Sequence, residues 1–155
     1  MDPKFRARIE SLEPLLSQLK AMTPVKPDAL PLQMPRAGIY VFSEGGQALY
    51  VGRSNDIRGR ISRHCRPGAT HRMAAFAFRL AREKTGRLAA SYTTAGSRAD
   101  LMRDPAFLAA FNEAKARIRK MDLRYVEAVE PVTQALLEMY AAVALDARYN
   151  DFDNH

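Results

Sequence analysis

Apolar residues near the start of the chain recur at the three- and four-residue spacing of a helix face. They predict an amphipathic helix over residues 4–20, which Pro14 is expected to kink or split. Two roles stay open for this helix: packing on the rest of the domain, or mediating a dimer. Four prolines within residues 23–35 predict an irregular connector after it. The apolar positions of the helix are Phe5, Ile9, Leu12, Leu15, Leu16 and Leu19.

The pattern then changes to short runs of β-branched and aromatic residues. Residues 39–42 and 48–51 are two such runs, and the glycine-containing segment between them predicts a β-hairpin. Alternation over residues 123–129 predicts a third strand. This order indicates an α+β fold with a small three-stranded, mostly antiparallel sheet flanked by helices. Helices are predicted at about 56–65, 71–84, 105–120 and 131–146, and residues 88–94 fit either a short strand or a loop.

The predicted helix over residues 71–84 has one apolar face. Met73, Phe76, Ala77 and Leu80 share that face, and we expect it to be core rather than an interface. The last predicted helix also has an apolar face, made of Leu136, Leu137, Tyr140, Ala141 and Ala144.

Composition and charge add a candidate partner to this picture. The chain has 155 residues, 47% of them hydrophobic and 26% charged, which is typical of a soluble globular domain. Its formal net charge is +7, but residues 53–87 hold ten Lys/Arg and two acids, an excess of +8. So concentrated a basic segment favours a polyanion, nucleic acid before membrane. A solvated basic helix face is the ordinary alternative.

Cysteine content and hydropathy point to a compartment. Cys65 is the single cysteine, so an intrachain disulfide framework is excluded and a reducing environment is expected. No apolar run approaches the roughly 20 residues that span a bilayer, and the N-terminus has no signal-like apolar core. We therefore expect a cytoplasmic protein without a membrane partner, with export by a signal-free machinery as the alternative.

Four separate features combine into candidate chemistry. Tyr40 and Tyr50 lie on the two hairpin strands, and Arg60 and His64 are four residues apart on the next predicted helix. Glu138 interrupts an apolar helix face, and Asn150 follows that helix. Each feature has an ordinary explanation in packing or solvation. Together they supply a metal ligand, a cation for phosphate charge and proton-transfer groups, which is what phosphodiester cleavage requires.

These residues resemble the GIY-YIG nuclease family. The chain has GIY at 38–40 and YVG at 50–52, and the segment YVGRSNDIRGRISRH (50–64) is similar to the family's, with Arg60 and His64 at matching positions. Leu136-Leu137-Glu138 and Tyr149-Asn150 resemble the family's late glutamate and asparagine. The resemblance covers residues 37–64 and 122–151. It divides the chain into a helix and connector over 1–36 and a nuclease domain over 37–151 with a helical insertion at about 65–120.

The resemblance implies roles for each residue. Glu138 would bind one Mg²⁺ or Mn²⁺, and Arg60 would offset phosphate charge. Tyr40 is the implied general base, its pKa lowered by Arg53, Arg60 and the metal. Tyr50 and His64 would hold the water, the phosphate or Tyr40 by hydrogen bonds, and His64 would share the proton transfer. Asn150 would fix the site from the side. Further contacts to the DNA backbone are expected from Arg53, Arg58, Arg63, Arg66, Arg72, Arg79 and Arg82.

A shared site requires Tyr40 and Tyr50 to lie on the same sheet face, which depends on hairpin register. A two-residue turn at Gly45 and Gly46 would pair Tyr40 with Val51 and put the two tyrosines on opposite faces. A three-residue loop over residues 44–46 would pair Tyr40 with Tyr50. Because a three-residue loop ending in a left-handed glycine is a common hairpin form, we predict the three-residue loop.

The resemblance therefore implies a metal-dependent endonuclease that hydrolyses DNA, most readily double-stranded DNA, and leaves 5′ phosphate and 3′ hydroxyl ends. One alternative is a nucleic-acid-binding module on the same fold without catalysis. Another keeps the enzyme as a toxin or defence effector. Dimer formation through the N-terminal helix or the insertion stays an open question.

Overall fold

The computed structural model describes residues 1–88 and 97–153. The described chain forms two compact units, one made of residues 1–60 and 121–153 and the other of residues 61–88 and 97–120. The predicted strand or loop at 88–94 lies outside the described residues, apart from Leu88. The elements are α1 (Pro3–Ala21), β1 (Gly38–Glu44), β2 (Gln47–Ser54), α2 (Ile57–Cys65), α3 (Ala75–Thr85), α4 (Arg98–Leu101), α5 (Pro105–Arg119), β3 (Asp122–Glu127) and α6 (Pro131–Ala144).

The first unit contains a three-stranded antiparallel sheet in the order β2-β1-β3. The predicted α+β class is confirmed, with helices beside a small sheet. The proline-rich connector adds one bridge at the β3 edge, where Val25 and Leu123 exchange two backbone hydrogen bonds of 2.9 Å. β1 is the central strand, and its residues 38–43 are buried while Glu44 at its end is exposed.

The hairpin between β1 and β2 differs from the predicted loop. Only Gly45 and Gly46 form the turn, with φ of 59° and 80°, values that both central residues of a type I′ turn require. The prediction of a three-residue loop is therefore wrong. Glu44 pairs with Gln47 and Ser43 pairs with Ala48, but a β-bulge interrupts the ladder between Phe42 and Ser43.

The bulge changes the parity of the hairpin. Leu49 has no partner on β1, so beyond it Phe42 pairs with Tyr50 and Tyr40 pairs with Gly52. One extra residue in β2 shifts every later side chain of that strand to the other face. Tyr40 and Tyr50 consequently share a face, although the turn alone would have separated them.

Helix α1 belongs to the core of the first unit. Leu12, Leu16 and Leu19 are buried in a hydrophobic cluster with sheet residues such as Val41 and with Leu137 of α6. This burial settles the packing role left open for the helix. Pro14 lies on the exposed side, and α1 runs unbroken through it, so the predicted split is wrong.

Three helices start with the same local device, an acidic N-cap followed by proline. In α1, α5 and α6 the caps are Asp2, Asp104 and Glu130, and each carboxylate accepts backbone N–H groups of the first turn. Proline fits the first helical position because it lacks an N–H group that would otherwise need a partner. These caps explain why all three helices begin within one residue of their predicted starts.

The second unit is built on α3 and α5. Phe78 packs against Phe107 and Phe111 at ring-centroid distances of 5.0 and 6.3 Å. Buried Lys115 donates hydrogen bonds of 2.7 and 2.9 Å to the carbonyl oxygens of Pro67 and Ala69. The predicted apolar face is buried at Phe76, Ala77 and Leu80, but Met73 precedes α3 and is 40% exposed, so its assignment to the core is wrong.

Candidate active site

Two tyrosines form the centre of the candidate site in the first unit. Tyr40 on β1 is only 1% exposed, and Tyr50 on β2 is half-buried. Their ring centroids lie 6.5 Å apart with the planes tilted by 42°. The prediction that the two rings share one sheet face is confirmed, through the bulge rather than through the turn.

Each of the glycines Gly38 and Gly52 in the two tripeptides occupies a position where a side chain would overlap a neighbouring group, and the neighbour differs between them. A Cβ atom at Gly52 would overlap the hydroxyl group and ring of Tyr40, which lies across β2. A Cβ atom at Gly38 would overlap the backbone carbonyl of Val126 on β3. Gly52 therefore makes room for the tyrosine of the first tripeptide, and Gly38 allows β1 and β3 to approach.

Charged groups from two other segments join the tyrosines. Glu138 of α6 forms an ion pair with Arg53 of β2, with 3.1 Å between Oε2 and Nε. The Glu138 side chain is 27% exposed. Arg60 of α2 is close enough to act electrostatically on Tyr40, Tyr50 and Glu138. Residues separated by up to 98 positions in the chain are thus brought to one site.

Burial dominates the acid–base properties of the tyrosines. It raises the pKa of Tyr40 well above 10.0, with a further increase from Tyr50 and opposition from Arg60. The pKa of Tyr50 is also raised, first by burial and then by Glu138, against Arg60. We expected Arg53 and Arg60 to lower the pKa of Tyr40, but the protein groups together raise it, because burial outweighs the effect of Arg60. Near neutral pH both side chains are protonated and can donate hydrogen bonds.

Glu138 has the donor chemistry of a hard-metal ligand, in an environment that disfavours its charge. Burial raises its pKa, while Arg53 and then Arg60 act in the opposite direction. Among the described residues no group of three or more His, Cys, Asp or Glu could enclose a metal ion. Mg²⁺ commonly retains waters and needs one or two carboxylates together with substrate phosphate. The half-buried carboxylate fits such a water-rich site, and it does not fit an all-protein cage.

Asn150 acts on the backbone beside the tyrosines. Its Oδ1 accepts a hydrogen bond from the Val51 N–H, and its Nδ2 donates to the Val51 carbonyl, both at 2.8 Å. The N–H of Tyr149 donates to the carbonyl of Leu49 at 2.8 Å. The chain after α6 therefore pairs with the outer edge of β2 at Leu49 and Val51. In this pairing Asn150 holds the backbone of β2.

The other predicted site residues are distributed over both units. Arg58, in the first unit, donates hydrogen bonds to the carbonyl oxygens of Pro31 and Leu32, which ties its guanidinium to the connector. His64 belongs to the second unit, where it is buried with its ring 6.5 Å from that of Phe76. The predicted DNA-contacting residues of the second unit are exposed, except for half-buried Arg82; they are Arg63, Arg66, Arg72, Arg79 and Arg82.

An open groove of about 560 Å³ contains residues that the sequence did not single out. Arg36, Asn55 and Gln134 line it together with Arg53 and Arg60. Arg36 lies two residues before the first tripeptide and Asn55 lies three residues after the second, so closeness to the motifs was the available signal. Gln134 lies on α6 one turn before Glu138 and had no comparable signal.

Comparison with known proteins gives one partial match. A stretch of 41 residues, 26% of the chain, is 39% identical to UvrABC system protein C of Deinococcus radiodurans. The match spans only 7% of the length of that protein. No protein-family model matches the chain, and no solved structure matches it significantly. None of the helices in the described residues is long and apolar enough to cross a membrane.

Proposed function

We propose that this protein is a metal-dependent endonuclease that hydrolyses phosphodiester bonds in DNA and leaves 5′ phosphate and 3′ hydroxyl ends. The observation that carries the proposal is the convergence of Tyr40, Tyr50, Arg60 and Glu138, which lie close enough in the first unit to act electrostatically on one another. The partial match to UvrABC system protein C also supports a nuclease-related function.

The proposal assigns each side chain a task. The Arg60 guanidinium binds the scissile phosphate, since its planar donors match phosphate oxygens. Glu138 would hold one Mg²⁺ or Mn²⁺, which when bound supplies positive charge against the phosphate and the leaving 3′ oxygen. The hydroxyl groups of Tyr40 and Tyr50 orient the attacking water and the phosphate by hydrogen bonds. Asn150 keeps Tyr50 and Gly52 in place through the backbone of Val51.

The buried environment of Tyr40 opposes its implied role as the general base. A base must be deprotonated, and burial raises the pKa of this phenol. His64, predicted to share the proton transfer, lies in the second unit. We therefore assign Tyr40 to hydrogen bonding in the ground state, and its service as a base stays a prediction.

Plasmid nicking with and without Mg²⁺ tests the proposal. We expect cleavage only with the metal, and a loss of at least about 100-fold for Glu138→Ala, since removing a charged catalytic group has effects of this order. Glu127→Ala, on an exposed strand end, is the matched control and should retain activity. Metal-independent nicking, or an unchanged rate for Glu138→Ala, would contradict the mechanism.

One observation favours the binding-module alternative. The carboxylate of Glu138 is ion-paired with Arg53, and burial keeps Tyr40 and Tyr50 protonated. A protein whose site remained in this state would bind a phosphate backbone without cutting it. DNA binding without cleavage in either Mg²⁺ or Mn²⁺ would identify this alternative.

A further inference from the structure

The groove beside the candidate site has a lining suited to an anion. It is formed by residues before β1, at the end of β2, at the start of α2 and on α6. Arg53 and Arg60 belong both to this groove and to the proposed catalytic cluster, so the two features share a wall. The complete lining is Arg36, Arg53, Ser54, Asn55, Asp56, Arg60 and Gln134.

Positive charge exceeds negative charge in this lining. Three guanidinium groups face one carboxylate, and Asp56 already accepts the Gly59 N–H at 3.1 Å as it caps α2. Arg53 is paired with Glu138. Arg36 and Arg60 form no ion pair within residues 1–88 and 97–153. The groove therefore retains uncompensated positive charge, which favours a phosphate group.

A buried amide network orients a neutral donor toward the same space. Gln134 is 3% exposed, and its Nε2 donates to the Ala128 carbonyl at 2.9 Å and to the Asn55 Oδ1 at 3.2 Å. Because the oxygen of the Asn55 amide faces Gln134, the amide nitrogen is the end left for a ligand. Asn55 itself is exposed, so a ligand in the groove can reach it.

Building on the proposed nuclease function, we propose that this groove binds a second backbone phosphate of the cleaved strand, adjacent to the scissile phosphate at Arg60. The Arg36 guanidinium and the Asn55 amide are its principal contacts. A nucleic-acid strand carries a phosphate at every nucleotide, so a strand held at Arg60 continues along the shared wall. Such contacts set the register of the strand without reading its sequence.

Binding measurements in EDTA test the groove without any cleavage. We expect Arg36→Ala to weaken binding of a short DNA duplex by about fivefold at low salt and to reduce the slope of log K against log salt by about 0.9. Asn55→Ala should weaken binding by roughly twofold, with less change in slope. Arg6→Ala, which removes the same charge from an exposed position on α1, is the matched control and should change binding by less than about twofold.

Charge interference locates the contact relative to the cleaved bond. In Mg²⁺, one neutral methylphosphonate next to the cleaved bond should suppress cutting by the wild-type protein. In Arg36→Ala the same replacement should have no further effect, because its contact is already missing. The assignment would be overturned if the Arg36→Ala and Arg6→Ala proteins bound the duplex with the same affinity. It would also be overturned if the methylphosphonate suppressed cutting by Arg36→Ala as much as it does cutting by the wild-type protein.

Two further outcomes distinguish the second-phosphate site from a small-anion pocket and from a protein that binds DNA without cutting it. A free nucleoside monophosphate that binds as tightly as the duplex would mean a small-anion pocket and would overturn the strand assignment. If the wild-type protein binds the duplex but never cuts it, the proposed nuclease function alone is wrong. The comparison of Arg36→Ala with Arg6→Ala in EDTA would then still decide whether the groove binds a phosphate. Melting temperatures check that each variant is folded.

Discussion

At the scale of single residues, the closest constraint is the approach of the Tyr40 side chain to the backbone of β2. Its hydroxyl group and ring lie where a Cβ atom of residue 52 would be, so Gly52 leaves space that no other residue type leaves. The same side chain is almost fully buried and packs edge-on against Phe42 at 5.7 Å. Tyr40 therefore has little freedom to move aside, and the glycine and the tyrosine of the two tripeptides depend on each other.

Substitution of Gly52 should therefore disturb both stability and the site. We expect Gly52→Ala to lower the free energy of unfolding by about 2 kcal/mol or more, because the added methyl group overpacks a rigid region. Urea denaturation measures the change. Gly68→Ala is the matched control, since a Cβ atom there meets nothing within 4 Å. Equal stability of the two variants would contradict the close approach.

The burial of Tyr40 also predicts how stability depends on pH. Its folded-state pKa is raised well above the unfolded value near 10.0, chiefly by burial. A protonated Tyr40 thus contributes stability that is complete below pH 10.0 and is lost as the pH rises through the folded pKa. We expect the wild-type protein to lose more stability above pH 10.0 than Tyr40→Phe in urea denaturation. Parallel losses in the two proteins would show that Tyr40 is not the group responsible.

At the scale of elements, β2 is shaped by a bulge on one side and by the chain after α6 on the other. Leu49 has no partner on β1, and its carbonyl accepts a hydrogen bond from the N–H of Tyr149. At Val51, two residues after Leu49, the side chain of Asn150 forms hydrogen bonds with both the N–H and the carbonyl group of the backbone. The edge of β2 is thereby covered where the bulge would otherwise leave backbone groups exposed.

Replacing Asn150 tests this support of β2. Asn150→Asp keeps the shape of the side chain but replaces the Nδ2 donor with an oxygen that repels the Val51 carbonyl. We expect a loss of about 1–3 kcal/mol in the free energy of unfolding, the usual cost of breaking such a bond in a partly buried place. Asn112→Asp, on an exposed surface of α5, is the control. An Asn150→Asp protein as stable as the Asn112→Asp protein would exclude the positioning role.

At the scale of the whole molecule, charge is divided unevenly between the two units. The segment 61–120 holds 13 Lys/Arg and four Asp/Glu, a formal charge of +9. The rest of the chain holds 11 Lys/Arg and 13 Asp/Glu, a formal charge of −2. The residues proposed for catalysis, except His64, lie in the unit with the negative charge. For the first unit, phosphate binding therefore depends on local groups such as Arg36, Arg53 and Arg60.

Much of the architecture followed from local pattern alone. Helical and strand periodicity placed the longer elements within a few residues of their observed bounds. Local signals succeed here because capping and amphipathicity act between residues a few positions apart. The candidate site residues also came from the sequence, since the two tripeptides and the distant Glu138 are recognisable by type and spacing.

What the sequence by itself determined was therefore the class of fold, the order of its elements and the candidate chemistry. The folded structure decided the hairpin register, because the bulge at Leu49 is a feature of how β2 pairs with β1 and the turn residues do not specify it. It also decided the direction of the tyrosine pKa shifts, because desolvation depends on every group packed around a side chain. The Arg53–Glu138 pair and the groove at Arg36 arise in the same way, from segments that only the folded chain brings together.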